Sequence, residues 1–520
     1  NGIFNTMNFN IIILGFGVIG TESLFEIVKN SKKKNINIAV IEKNINNIPG
    51  GIAYSKLNSK YGFFNNPLRI SNKEFIGWVK RKKNIEKFIG FIKKNQSYDL
   101  DKWLSKNIDF KLKKINKFSE IYFPRLLYSF FLEDKIIKLL NQSKKKKIDI
   151  KFFQGNIINI KKNNHIKFTS SNELIEFKPK IRGNKLSFKK DRKKNKIISA
   201  SNAVIGNGIL PPKMIYEKKN IKNENYIWDF YSEGGTQNLI NKLNKIRNNK
   251  KLLNLVFIGN KAGLLEAIPK LELITKKTKQ KFKIISVAKS SLSLEKAEKS
   301  EKFKFYKFKF LVNNNIYQIK KSEKILQLLS KEFNFAKNNG FNKYDVWTHI
   351  LKKNIILRCF KKLSHKERVK YNDKIFPLIR NLTRYTYPET IFAKERLQNK
   401  KILTFIKDKV VAIKKNKTNI FVITEKKRKI LSDILINVSG PVDLNSVTRE
   451  APFIQSLKKI CKNYNHRGFF ADKNFMIEKN IYAPGTLSSN FNPNRLTIIR
   501  AVTENSKKAI KHMLNNKFKI

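Results

Sequence analysis

The sequence predicts an α/β protein assembled from two strand–turn–helix units, and three observations carry that prediction. Ile11 to Leu14 form an apolar run that leads into Gly15, Gly17 and Gly20, and apolar residues Leu24, Phe25, Ile27 and Val28 then recur with helical spacing. A second unit of the same plan begins at Leu252–Ile258, a β-branched, apolar stretch that turns at Gly259. The chain has 520 residues, 41% of them hydrophobic, which is enough for a large core divided over two to four domains.

The first unit is a full dinucleotide fingerprint. The glycines have the spacing GxGxxG, and a second strand, Ile36 to Ile41, ends at Glu42, 22 residues beyond Gly20. Glycines permit a tight turn and let backbone N–H groups approach a diphosphate, and the helix N-terminus adds the positive end of its dipole. Glu42 is placed to accept hydrogen bonds from ribose hydroxyls. An acid there repels a 2′-phosphate, so this site is expected to take FAD or NAD and not NADP. The expected architecture is a Rossmann-like domain around Gly15, Gly17, Gly20 and Glu42.

Composition excludes several other classes. No run of about 18 uncharged apolar residues occurs, so no transmembrane helix is expected. The first residues lack a basic, apolar secretory pattern, and the scarcity of cysteine fits an expected reduced, cytoplasmic setting. The two cysteines, Cys359 and Cys461, are far apart, which argues against a disulfide framework and against a CxxxxC redox pair. Five scattered histidines show no ligand spacing, and no metal is expected. The formal charge of +71 suggests a polyanion partner at first sight. Its lysines are spread along the whole chain, however, and read as compositional drift. Loose, salt-sensitive attraction to polyanions is the physical consequence. No specific nucleic-acid binding is expected.

The stretch PGGIAYSKLNSKYGFFNNPLRISNKEFIGWVK chooses between the dinucleotides. Its Gly51, Ala53 and Tyr54, then Asn65, Asn66, Pro67 and Ser71, then Phe75 with Trp78, resemble a bacterial FAD/NAD(P)-binding flavoprotein family. These are two-dinucleotide-binding-domain flavoproteins related to flavin-dependent N-hydroxylating monooxygenases. The resemblance implies that this segment lines the flavin ring and ribityl chain. It also implies that Arg125, in YFPRLLYSFFLED, pairs with the FAD pyrophosphate. The strand around Ile157 would meet the adenine. The turn with Gly206, Asn207 and Gly208 resembles the family's Ala-Thr-Gly element, and Gly440 and Gly485 resemble its return to the flavin domain. Many relatives have Gly-Asp where this chain has Gly485-Thr486; Thr486 offers a hydroxyl in place of the acid.

The second glycine turn departs further from the family, whose members continue Gly-x-Gly there and bind NAD(P)H. Here Gly259 is followed by Lys261 at the middle glycine position, and Gly263 falls one short of the third. Lys261 is either a steric obstacle or a charged phosphate contact. Pro269 is expected to interrupt the following helix. Lys289 ends the next strand where relatives carry a residue selecting the 2′-phosphate; it also reads simply as one lysine among many.

The expected organisation is an FAD-binding domain over 7–212, an inserted, partly degenerate NAD(P)-binding domain over 213–435, and a return to the FAD-binding domain over 436–520. Antiparallel ribbons mark the crossings. Glu323 to Asn354 read as a helical pair that caps the substrate entrance or widens the core. Arg380, Arg384 and Tyr387 form a basic-aromatic group suited to an acidic or zwitterionic substrate, or to solvent. The resemblance implies an FAD-dependent oxidoreductase, reduced by NAD(P)H and hydroxylating a small polar substrate with oxygen. No catalytic residue is named by the sequence. Two other readings stay open: a flavin-binding partner subunit or sensor without hydride transfer, and a basic nucleic-acid-binding protein.

Overall fold

In the computed structural model the described residues are 6–32, 35–56, 62–95, 98–183, 185–194, 196–206, 210, 212, 225–232, 234–246, 252–260, 262–278, 281–289, 295–296, 306–383, 385–415, 420–440, 442–446, 451–466, 468–488 and 498–517.

The first strand, β1 (Met7–Leu14), is buried on both faces, as its unbroken apolar run requires. It pairs in parallel with β2 (Asn37–Glu42) on one side and with Ile197–Ile205 on the other. Between β1 and β2 runs helix α1 (Val18–Asn30). Asp149–Gln154 continues the parallel set beside β2, and Ile481–Tyr482 continues it beside Ile197–Ile205. A hairpin, Leu174–Arg182 with Lys185–Lys194, extends one edge in antiparallel fashion. One face of the sheet is closed by α1, Arg125–Lys145 and Ile498–Lys517, through Ile11, Ile13, Val40, Ile136 and Ile510. The other is closed by Ile157–Lys162, Ile166–Ser170 and Pro452–Ile460, through Ile12, Phe168 and Leu457.

A second, five-stranded parallel sheet holds the inserted unit, in the order Leu403–Lys407, Lys281–Ala288, Leu252–Ile258, Ile434–Asn437, Tyr226–Ile227. Ile434–Asn437, at the expected boundary, pairs in parallel with Leu252–Ile258 of this second sheet. One antiparallel ribbon is a three-stranded meander, Val410–Lys415, Ile420–Thr424 and Lys429–Ser432.

The expected break at Pro269 does not occur. The helix runs from Ala262 to Thr278 through the proline. Leu264, Ala267, Ile268 and Leu271 are all buried against the second sheet, and this packing holds the helix across the lost hydrogen bond. The helical pair is present as Ser322–Asn338 and Lys343–Lys352, within an all-helical subunit around Ile325, Leu329, Ile350 and Tyr371.

Candidate dinucleotide and flavin site

The site is built from glycines that let four backbone segments meet at the start of α1. Gly15 has φ 85°, a left-handed conformation that favours glycine. A Cβ on Gly20 would lie 2.3 Å from the Gly15 carbonyl oxygen, and one on Gly206 would lie 2.7 Å from the same oxygen. The Gly50–Gly51 turn leans on the first turn through a bridge between Gly17 and Gly50, and a Cβ on Gly51 would lie 2.8 Å from the Gly17 Cα. Gly485 packs on Ile19, where a Cβ would meet Cδ1 at 2.1 Å. The first-turn amides of α1 have no intrahelical partner and no side-chain cap. This is a cradle of backbone donors at a helix N-terminus.

Glu42 is buried at the end of β2, and its Oε2 accepts from the Phe16 N–H at 2.8 Å. Burial pushes its carboxyl above the usual range, and backbone N–H groups of Phe16, Asn44 and Lys43 partly offset this. The acid thus ties the glycine turn to the second strand. Thr21 Oγ1, on α1, and Ser488 Oγ, three residues after Gly485, are buried without a hydrogen-bond partner among the described residues. A glycine cradle at a helix N-terminus and a buried acid at the end of the next strand fit an adenine dinucleotide with its diphosphate at Gly15–Gly20.

The flavin-loop candidates are drawn together by aromatic packing. Tyr54 packs on Phe64 and Tyr128, with ring centroids 5.9 and 5.1 Å away. Phe75 and Trp78, singled out in the sequence, are core residues, and the Trp78 indole N–H donates to Asp134 Oδ2 at 2.9 Å. Asn65 is exposed and Asn66 and Ser71 are half-buried on the loop between. Ile157 is buried in its strand, and Thr486 is half-buried beside Gly485.

Arg125 opens the helix Arg125–Lys145, and its guanidinium is already engaged. Nε donates to the Phe63 carbonyl at 3.2 Å, and Nη1 donates to Glu266 Oε2 at 2.9 Å. Burial works against its charge, and the Glu266 carboxylate more than offsets this, so the group stays charged. Glu266 belongs to the helix of the second unit, so this pair joins the two domains. Further links run beside it: Lys106 to Glu389 at 2.9 Å, and Phe63 stacked on Tyr387 at 4.8 Å. Tyr344 Oη donates to Asn66 Oδ1 and Thr386 Oγ1 donates to Asn65 Oδ1.

In the second turn, Gly259 has φ 102° and a Cβ there would lie 2.7 Å from Ser439 Cα; Gly263 lies against Val438. Lys289 is exposed at the end of Lys281–Ala288. Lys261, Asn207, Gly208 and Arg384 lie outside the described residues, as does the Arg380 side chain.

Glu266, Tyr344 and Thr386 were not singled out by sequence reasoning. Glu266 sits three residues after Gly263, a local signal that could have marked it. Tyr344 and Thr386 lie 278 and 321 residues from their partners, and no local pattern reports such pairs.

These features define a two-dinucleotide-binding-domain flavoprotein fold. Residues 12–175 match the family model described as FAD-NAD(P)-binding, so the first unit is an FAD/NAD(P)-binding domain. The fold is that of the FAD-bound cadaverine monooxygenase DfoA of the desferrioxamine biosynthetic pathway from Erwinia amylovora, with a TM-score of 0.52 at 9% identity over 99% of this chain and 96% of that one. Ornithine hydroxylase PvdA from Pseudomonas aeruginosa gives 0.49 at 9% identity, over 98% and 99%. Thioredoxin reductase from Lactococcus lactis gives 0.44 at 8% identity, over 97% of each chain. A comparison with curated protein sequences finds no match. No helix among the described residues is long and apolar enough to cross a membrane.

Proposed function

We propose that the protein is an FAD-dependent, NAD(P)H-driven monooxygenase acting on a small polar substrate. The observation that carries this is the backbone cradle at Gly15–Gly20 closed by Glu42, with the loop Phe63–Ser71 facing the inserted unit. Bound there, FAD would supply the redox chemistry, accepting hydride equivalents and passing electrons to oxygen. The chain's own part is to hold and to shield. Amides at the start of α1 would take the diphosphate, and Glu42 the adenosine ribose. Gly51, Tyr54, Asn65, Asn66 and Ser71 would line the ring and its chain, with Ile157 at the adenine and Thr486 at the ribityl hydroxyls. Arg125, paired with Glu266 and bonded to the Phe63 carbonyl, braces that loop against the inserted unit. Gly259, Gly263, Lys261 and Lys289 would serve the nicotinamide nucleotide. DfoA, which has this fold, is a cadaverine monooxygenase, and this supports amines as the first substrates to try.

Lys261 at a position expected to be glycine favours one second reading, a flavin-binding protein without hydride transfer. The test is anaerobic addition of NADH and NADPH to the yellow, FAD-loaded protein. Bleaching by either donor, then product formed from candidate amines on exposure to oxygen, supports the monooxygenase. A flavin that stays oxidised with both donors removes it in favour of the second reading, and a colourless chain that takes up no FAD removes both.

A further inference from the structure

We propose that Tyr344 and Thr386, supplied by the inserted unit, are positioning residues that orient the carboxamides of Asn65 and Asn66, so that both present N–H donors to the acceptor-bearing edge of the bound flavin. The inference rests on the reading of the Phe63–Ser71 loop as the flavin loop.

An asparagine carboxamide has one acceptor end and one donor end, and its orientation follows from what its neighbours offer. Tyr344 Oη lies 3.4 Å from Asn66 Oδ1, and Thr386 Oγ1 lies 3.3 Å from Asn65 Oδ1. Tyr344 is 1% exposed and Thr386 4%. Neither hydroxyl hydrogen has another acceptor among the described residues. Were either carboxamide turned round, its amino group would donate to the hydroxyl oxygen, and a buried O–H would be left unpaired. That costs about 1–3 kcal/mol. Burial of the two hydroxyls therefore selects Oδ1 inward and Nδ2 outward at both positions. The Nδ2 groups make no hydrogen bond to described residues, and they belong to adjacent residues at an exposed and a half-buried position.

The hydroxyls are themselves well fixed. Tyr344 lies in the first turn of Lys343–Lys352, a helix capped by the Asn342 side chain, and its ring packs edge-on to Tyr385 at 4.8 Å with the Arg69 guanidinium over it at 5.8 Å. Thr386 lies in a short strand paired in parallel with Glu295–Lys296. Both contacts are long for O–H···O bonds, so they orient the carboxamides more than they bind the domains together. Two outward donors match a ligand edge made of carbonyl oxygens and ring nitrogens, and they favour that edge most when reduction makes it more negative.

The test uses the full-length, FAD-loaded protein and Y344F, T386V and T386S. Midpoint potential is measured by anaerobic dye equilibration, the visible flavin spectrum is recorded, and FAD affinity is titrated. Y344F and T386V are each expected to weaken the preference for reduced over oxidised flavin by up to tenfold, about 30 mV for a two-electron couple, and to shift the flavin bands. T386S, which keeps the hydroxyl, is expected to match the wild type. Unchanged potential and spectrum in Y344F and T386V overturn the inference while leaving FAD binding intact, as does a T386S variant that behaves like T386V. If those variants fold poorly, N66D carries the test, since it exchanges a donor for an acceptor. It must lower the potential, and an unchanged potential overturns the inference. A wild-type chain that binds no FAD overturns both the inference and the reading beneath it.

Discussion

A single methyl group at Gly20 probes the cradle directly. In Gly20→Ala the new Cβ would stand 2.3 Å from the Gly15 carbonyl oxygen and 3.1 Å from Phe16 Cδ2. The oxygen would have to retreat by roughly 1 Å to reach ordinary contact. It cannot retreat freely, because Gly206 closes on it from another side and Gly15 is already at φ 85°. Overpacking of this kind costs about 1–3 kcal/mol, so thermal unfolding should begin about 2–10 °C lower. The displaced turn would also misplace the amides that the proposed function assigns to the diphosphate. Losing one charge-assisted hydrogen bond costs about 1.5–3 kcal/mol, so FAD should bind roughly 10- to 150-fold more weakly. Thermal melting and a flavin-fluorescence titration read the two effects separately. Gly77→Ala is the control, since a Cβ there has no atom within 4 Å. At this exposed position of the helix Lys73–Val79 it should add about 1 kcal/mol of stability and leave FAD affinity alone. A Gly20→Ala protein that melts early yet binds FAD as tightly as wild type would refute the assignment of the diphosphate to this turn.

Three further outcomes are expected. Lys135 binds Glu22 at 2.8 Å and Glu74 at 2.6 Å with almost no exposure, so Lys135→Met strands a buried carboxylate; stability by denaturant unfolding should fall by about 3–5 kcal/mol and largely recover in K135M/E22Q. For Arg125 and Glu266, a double-mutant cycle of R125M and E266Q should give a coupling above about 1 kcal/mol, and additive effects would deny the pair its role in joining the domains. Glu389 is partly buried, which raises its carboxyl, but Lys106 and Arg396 overcome this and hold it below the ordinary value of 4.5. Its folded pKa is depressed, so the stability it contributes is present above about pH 4.5 and is lost as pH falls through the folded value. E389Q should therefore flatten the acid limb of the stability–pH profile, and an unchanged limb counts against the ion pairs.

The parts that were readable along the chain share one property: their physics is local. Gly15, Gly17 and Gly20 stand between an apolar strand and a helical pattern, and the turn they make is determined by neighbours within a few residues. Glu42 was readable because a parallel strand–helix–strand unit has a characteristic length. Pro269 was misjudged because local backbone chemistry argued for a break, while burial of Leu264 and Ile268 on the second sheet outweighed the loss. The resemblance assigned Arg125 to the FAD pyrophosphate, whereas its pairing with Glu266 depends on how two domains dock, which no spacing encodes.

The sequence by itself determined the two strand–turn–helix units, the acid that ends β2, and the glycines where backbone must approach backbone. It did so because periodicity and steric freedom act over a few residues. Only the tertiary structure decided that Gly50–Gly51, Gly206 and Gly485 converge on α1, and that Tyr344, Thr386 and Tyr387 lie on the loop Phe63–Asn66. Those contacts join residues tens to hundreds of positions apart, and burial of apolar faces on two separate sheets is the force that brings them together.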